Sequence, residues 1–181
     1  IVAITESWLT KDIPNSLCEL PNFAIFRRDR REGLGGGVMC YVRDGLNSRI
    51  IEPLLPGNDD FEVLLVAVRP RVLPRPFSWL SVMSVYGPPW YDAARRKALC
   101  KYITGSIDLF SRTHPNTGFL IVGDFNSLET NFLIKGHGLK QIVRATQGER
   151  KLLIKFSQIA HIFIEIRRFW HLSGDRTTTV C

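Results

Sequence analysis

The chain has 181 residues, of which 45% are hydrophobic and 23% are charged, and its formal net charge is +7 at pH 7. These values are typical of one soluble globular domain with a sizeable core, and no apolar run is long enough to span a bilayer. The positive charge permits a polyanionic partner, although mildly basic domains also use such charge for solubility.

Short apolar runs bounded by turn residues predict the strands. They are rich in β-branched residues and fall at 1–5, 23–26, 38–42, 50–51, 61–68, 79–85 and 119–122. A helix is predicted before the last of them, because Asp92 suits an N-cap and apolar residues recur at helical spacing to about Phe110. Gly105 weakens this helix without ending it, and the residues 114–116 break it.

Glycines mark two connections between the early strands. Gly35-Gly36-Gly37 precedes a strand, and no Lys-Ser or Lys-Thr follows it. The triplet therefore predicts close backbone packing and not a phosphate-binding loop. Arg43-Asp44-Gly45 predicts a hairpin turn into the short strand at 50–51.

Polar residues follow three of the buried strands directly. The run 1–5 ends at Glu6-Ser7-Trp8, the run 79–85 ends at Tyr86, and the run 119–122 ends at Gly123-Asp124-Phe125-Asn126. Chemistry in open α/β folds lies at such strand ends, and carboxylate oxygens suit Mg²⁺ together with a substrate phosphate. Each residue also has a simpler reading: a turn at Gly123-Asp124, an exposed acid at Glu6, and a core tyrosine at Tyr86.

These motifs, in this order, resemble the endonuclease/exonuclease/phosphatase superfamily. The resemblance rests on residues 4–8, on Arg27-Arg28-Asp29-Arg30 with the glycine triplet, and on 85–89 and 123–126. More narrowly, the chain resembles the apurinic-type endonuclease domain that non-LTR retrotransposons carry ahead of their reverse transcriptase, and 138–143 fits that group. The resemblance covers about residues 1–150. It implies an α+β fold, a four-layer α/β sandwich of two mixed sheets flanked by helices, here expected to be incomplete at both ends.

The resemblance also implies a role for each strand-end residue. Glu6 matches the carboxylate that holds the divalent metal, Mg²⁺ or Mn²⁺. Asp124 matches the acid that orients or deprotonates the attacking water. Asn126 matches the amide that donates to the phosphate, and Tyr86 matches a phenol that donates to a phosphate oxygen. Fixed donors of this kind act where charge builds in the transition state.

The chain departs from the family pattern at its ends. It begins too late to include an upstream Asn of the family site, and an absent upstream piece is therefore expected. After Gly148 it contains neither the family's D-x-I-x-T-N stretch nor its S-D-H triplet. Residues 152–181, back-translated with permitted codons and read two nucleotides further on, yield both patterns in order. We therefore predict a divergent tail at 151–181, produced by a frameshift near Lys151.

The charged and sulfur-containing residues complete the prediction. The four cysteines and four histidines are scattered, which predicts reduced thiols, no zinc site, and a nuclear or cytoplasmic location. One basic cluster is predicted to bind the backbone of duplex DNA, and its members are Arg27, Arg28, Arg30 and Arg31. No membrane and no obligate protein partner are expected.

The predicted function is Mg²⁺-dependent phosphodiester hydrolysis by a DNA-nicking endonuclease, weak or inactive in this chain because part of the family site is missing. Two alternatives remain open. One is a non-catalytic remnant, either inert or a basic module that binds nucleic acid. The other is a phosphatase of the same superfamily, against which the stretch 138–143 argues.

Overall fold

The computed structural model describes residues 1–51, 55 and 60–141, together with the backbone of one strand at 151–155. Its strands and helices confirm the predicted strands and the predicted long helix. In chain order they are β1 (Val2–Thr5), a 3-10 helix (Asn15–Leu17), β2 (Phe23–Arg28), β3 (Val38–Arg43), β4 (Asn47–Ile50), β5 (Val63–Arg69), β6 (Trp79–Tyr86), α1 (Ala93–Thr113), β7 (Thr117–Asp124), α2 (Asn131–His137), β8 (Lys140–Gln141) and β9 (Lys151–Lys155).

The strands form two sheets. The smaller sheet has three antiparallel strands in the order β1-β3-β2, and the larger has six strands in the order β4-β5-β6-β7-β9-β8. Within the described residues, β6 and β7 are the one parallel pair. Parallel neighbours need a long crossover connection, and α1 supplies it. Asp92 begins this helix as predicted, because its side chain accepts a hydrogen bond from the backbone N–H of Arg95 at 2.7 Å.

The larger sheet is buried on both faces. One face packs against α1 and α2 through a core that includes Leu65, Met83, Ile103 and Ile121. The other face packs against the smaller sheet through a second core, in which Val66 and Tyr86 meet residues of β3. Alternate residues of β5 and β6 serve the two cores, as the two-residue period of a strand requires.

A loop covers the outer face of the smaller sheet. The side chain of Arg27 donates to the carbonyl oxygen of Thr10 at 2.8 Å. The hydroxyl of Tyr41 donates to the carbonyl oxygen of Cys18 at 2.5 Å. Both described α-helices lie on the far side of the larger sheet. The layers are thus loop, sheet, sheet and helices, which confirms the predicted α+β sandwich, with a loop in place of α-helix in the outermost layer.

The prediction of a hairpin at Arg43-Asp44-Gly45 is wrong, because the strands on either side of the turn do not pair with each other. A turn is present, because the N–H of Leu46 bonds to the carbonyl of Arg43 at 3.2 Å and Gly45 has φ 86°. However, β3 belongs to the smaller sheet, while β4 pairs with β5 in the larger one. The turn therefore passes the chain from one sheet to the other.

The glycine triplet packs closely, as predicted. Gly36 and Gly37 both have positive φ, at 72° and 81°. A Cβ on Gly37 would lie 2.6 Å from Oγ of Ser7, and one on Gly36 would overlap the guanidinium of Arg30. The triplet therefore lets the loop before β3 lie directly on the chain that leaves β1.

The C-terminal predictions fall mostly outside the described residues. Backbone pairing places β9 antiparallel to β7, so the first five residues of the predicted tail lie in the larger sheet. Residues 142–150 and 156–181 lie outside the description, as does the end of the stretch 138–143. The domain boundary near 150 and the frameshift stay predictions. In the part of the chain that is described, no helix is long and apolar enough to cross a membrane.

Stability should depend on pH through the buried thiol of Cys40. Burial raises the pKa of Cys40 from 9.0 to about 12. The folded chain therefore keeps this proton at pH values where the unfolded chain releases it. The contribution of this thiol to stability is constant well below pH 9 and falls as the pH rises from 9 towards 12. The slope contributed by one such group approaches about 1.4 kcal/mol per pH unit.

Urea unfolding of the wild type and Cys40→Ala at about pH 8 and about pH 10 tests this expectation. The free energy of unfolding should fall more between the two pH values in the wild type than in the variant. An equal fall in both proteins would show that Cys40 does not carry the effect.

Candidate active site

Three strand ends meet at one edge of the two sheets. Tyr86 at the end of β6 pairs in register with Asp124 at the end of β7, and the strands run parallel. Paired residues of neighbouring strands face the same side of a sheet, so both side chains face the smaller sheet. There β1 lies against β6 and β7. The buried Tyr86 donates its hydroxyl proton to Oε1 of Glu6, which follows β1 and is exposed.

Asn126 joins the same group of residues. Its backbone N–H donates to Oδ1 of Asp124 at 3.0 Å, and its side-chain amide donates to the carbonyl of Gly87 at 3.0 Å. Gly87 directly follows Tyr86, so the amide bridges the ends of β6 and β7. The structure therefore brings Glu6, Tyr86, Asp124 and Asn126 together, as the resemblance implies. The roles assigned to them stay predictions.

Backbone strain is concentrated at this edge. Among the described residues, four that are not glycine have positive φ, and three of them flank the strand ends: Glu6 at 55°, Trp8 at 58° and Asn126 at 44°. Asparagine tolerates this conformation, whereas for a bulky residue it is a genuine outlier. Such strain persists only where the surrounding structure enforces it, and it clusters at functional sites.

The hydroxyl of Tyr86 remains a proton donor at neutral pH. Burial, and after it the hydrogen bond to Glu6, raises the pKa of Tyr86 above its ordinary value of 10.0. The family resemblance implies a phenol that donates to phosphate. Here the phenol donates to Glu6, so in this arrangement it fixes the carboxylate in place.

A buried ion pair beside the site was not predicted from the sequence. Glu62 is 4% exposed. Oε1 of Glu62 lies 2.9 Å from Nε and 2.8 Å from Nη2 of Arg30, and Oε2 accepts the backbone N–H of Gly37. The guanidinium carbon of Arg30 lies 5.8 Å from the centre of the Tyr86 ring. The pair therefore ties the glycine triplet to the tyrosine that holds Glu6.

The other arginines of the basic cluster also have partners within the chain. Arg27 forms an ion pair with Asp29 at 2.9 Å, and both side chains are largely buried. Arg28 donates from Nε to the carbonyl of Phe61 at 3.0 Å. Arg31 is exposed. Arg27, Arg28 and Arg30 therefore each have a structural role. Phosphate binding by the cluster stays a prediction.

The donor atoms fit a hard divalent cation that keeps most of its water. Within residues 1–51 and 60–141, no three His, Cys, Asp or Glu side chains cluster as a complete metal site. Mg²⁺ does not need such a cluster, because it is usually held by one or two carboxylates with waters and substrate phosphates. Glu6 offers an exposed carboxylate oxygen, and Asp124 offers a second carboxylate at the same edge.

Comparison with known proteins gives fold-level matches. No protein-family model matches the sequence, and no curated protein matches it. The structure of the human Nocturnin catalytic domain with bound sulfate anion matches with a TM-score of 0.58 at 12% identity, over 84% of this chain and 67% of that one. Truncated Caenorhabditis elegans TDP2 matches with a TM-score of 0.54 at 10% identity, over 84% and 68%.

A further match is D. rerio TDP2 complexed with single strand DNA product, with a TM-score of 0.53 at 11% identity over 88% of this chain and 72% of that one. At such identities the likeness is one of fold. Nocturnin and TDP2 are members of the endonuclease/exonuclease/phosphatase superfamily, and the sandwich of this chain is consistent with that superfamily. The comparison therefore establishes the fold of the chain and not its activity.

Proposed function

We propose that this chain derives from a Mg²⁺-dependent phosphodiester hydrolase, the DNA-nicking endonuclease of a non-LTR retrotransposon. The observation that carries the proposal is the meeting of Glu6, Tyr86, Asp124 and Asn126 at the ends of β1, β6 and β7. The order of the sequence motifs supports the retrotransposon origin. The proposed partner is DNA that is held through its backbone, and the sequence predicts that this DNA is duplex. The proposed location is nuclear or cytoplasmic.

Each side chain has a distinct task in this proposal. Glu6 would hold Mg²⁺ or Mn²⁺, which when bound neutralises charge on the scissile phosphate and stabilises the leaving oxygen. Asp124 accepts a proton from the attacking water or orients it. Asn126 keeps one amide proton on Gly87 and directs the other towards the phosphate. Tyr86 holds the Glu6 carboxylate through its hydroxyl.

Hydrolysis by this chain is proposed to be weak or absent. The residues after Gly148 contain neither the D-x-I-x-T-N stretch nor the S-D-H triplet, so the histidine that would contact the phosphate oxygen is missing from that stretch. Positioned acid–base groups contribute typically 10²–10⁴-fold to rates. A site without that histidine can bind metal and DNA while it hydrolyses slowly.

Metal binding and DNA nicking test this proposal separately. Titration calorimetry with Mn²⁺ should show one site in the wild type, and Glu6→Gln should weaken it about tenfold or more. Glu19→Gln is the matched control, because Glu19 is an exposed acid on the loop that covers the smaller sheet. Supercoiled plasmid incubated with wild-type protein and Mg²⁺ should be nicked at close to the background rate.

Three results would count against all or part of the proposal. Equal Mn²⁺ affinity in the wild type and Glu6→Gln would remove the metal site. Rapid nicking that is lost in Asp124→Ala would show an active enzyme. It would contradict only the proposal that hydrolysis is weak or absent. Salt-dependent DNA binding without metal binding would favour the basic-module alternative.

A further inference from the structure

Two tryptophans stand exposed beside the candidate site. Trp8 lies two residues after Glu6 and is 66% exposed, and Trp90 lies four residues after Tyr86 and is 64% exposed. An exposed tryptophan ring gives up the favourable free energy of burying a large apolar surface. The other tryptophan in the described ranges, Trp79, is half-buried at the opposite end of β6. Exposure is therefore particular to the two rings at the site.

Trp8 is held in place at a conformational cost. Its φ is 58°, and its backbone N–H donates to the carbonyl of Gly36 at 2.9 Å. Its ring lies on Gly35, where a Cβ would come within 3.3 Å of Cε2 of the ring. The left-handed conformation is unfavourable for so bulky a residue. Burial does not offset that cost here, because most of the ring faces solvent.

Trp90 lies against the side chain of Arg30. The guanidinium carbon of Arg30 is 5.0 Å from the centre of the Trp90 ring, and Nη1 of Arg30 donates to the carbonyl of Leu34 at 2.8 Å. Leu34 precedes the Gly35 on which Trp8 lies. Arg30 therefore contacts the Trp90 ring and the loop on which Trp8 lies, and its guanidinium carbon is 5.8 Å from the centre of the Tyr86 ring.

We propose that Trp8 and Trp90 stack on unpaired bases of a single DNA strand whose phosphate lies at the Glu6–Asp124 edge. Every base offers a π-face to an aromatic ring, but only when it is not stacked inside a duplex. The net charge of +7 complements the phosphates of such a strand. The inference rests on the proposed metal and phosphate site, and it replaces the duplex expected from the sequence with a strand whose bases are unpaired there.

Fluorescence anisotropy with three labelled probes tests the stacking in the presence of EDTA. The probes are a thymidine strand of about 15 nucleotides, a strand of abasic spacers with equal phosphates, and a duplex of equal length. Wild-type protein should bind the thymidine strand more tightly than either other probe. Trp8→Gly and Trp90→Ala should each weaken thymidine-strand binding about 5- to 100-fold and leave abasic-strand binding unchanged.

The variants are chosen to keep the fold. Glycine adopts a φ of 58° freely, so Trp8→Gly removes the ring without adding strain. Trp8→Phe and Trp90→Phe keep a π-face and should retain most of the affinity. Leu34→Ala is the matched control, since Leu34 is 91% exposed in the same loop but carries no π-system.

Two outcomes would overturn the stacking. In one, Trp8→Gly and Trp90→Ala bind the thymidine strand as the wild type does. In the other, the wild type binds duplex more tightly than the thymidine strand. Either outcome together with Mn²⁺ binding that depends on Glu6 would leave the proposed function standing. A wild type that binds none of the three probes would refute both the stacking and the DNA partner. The Mn²⁺ titration would still test the metal site independently.

Discussion

Gly123→Ala is expected to lower the free energy of unfolding by at least about 4 kcal/mol, or to prevent folding. Gly123 lies next to the end of β7, where it pairs with Val85 of β6 and has φ 144°. A Cβ at this position would overlap the carbonyl oxygen of Val85, which is backbone and cannot rotate away. The two strands would have to separate, and Asp124 would move away from Tyr86.

Gly136→Ala is the matched control for this substitution. Gly136 lies in the last turn of α2, its φ is not positive, and a Cβ there would meet nothing within 4 Å. Alanine should therefore stabilise the helix by about 0.5–1 kcal/mol. Urea unfolding followed by circular dichroism compares the two variants. Equal stability of Gly123→Ala and Gly136→Ala would contradict the close approach of β6 and β7.

The strands and the site edge were predictable because both follow from local rules. A short apolar run needs only its own β-branched residues and flanking turn residues to indicate a strand. The parallel pair β6–β7 follows from the helix between them, and it places Tyr86 beside Asp124. The meeting of these strand-end residues at one edge could therefore be predicted from the sequence, and their roles stay predictions.

The change of sheet after β3 was not predictable in this way. Arg43-Asp44-Gly45 has the residues of a hairpin turn and does form a turn. Turn chemistry fixes the local backbone, but the partner of the next strand depends on which surface its side chains bury. That choice is made by tertiary packing, which places β4 beside β5.

The burial of Glu62 in an ion pair could have been predicted from its place in the sequence. Glu62 lies inside the otherwise apolar run 61–68, and a charged residue in such a run is almost never buried unless it is paired. The partner, Arg30, lies in a basic cluster, and such a cluster predicts phosphate binding and conceals the ion pair. The positive φ of Glu6 and Trp8 had no sequence signal at all, since that conformation is normally marked by glycine or asparagine.

Loss of the buried carboxylate is expected to be the second large effect. Glu62→Gln keeps the shape of the side chain but leaves the charge of Arg30 unbalanced among largely buried groups. Removal of one partner of a buried ion pair typically costs 3–5 kcal/mol, so the free energy of unfolding should fall by about 3 kcal/mol or more. The exposed pair Arg95–Asp60 has the same 2.9 Å contact, and Asp60→Asn should cost no more than about 1 kcal/mol.

The double variant Glu62→Gln/Arg30→Met separates charge from packing. If the uncompensated charge of Arg30 causes the instability, its replacement by an apolar side chain of similar length should restore part of the lost free energy of unfolding. A double variant less stable than Glu62→Gln would show that Arg30 contributes mainly by its contacts with Leu34 and Trp90. Because those contacts also support the two exposed tryptophans, binding of the thymidine strand should then fall together with stability.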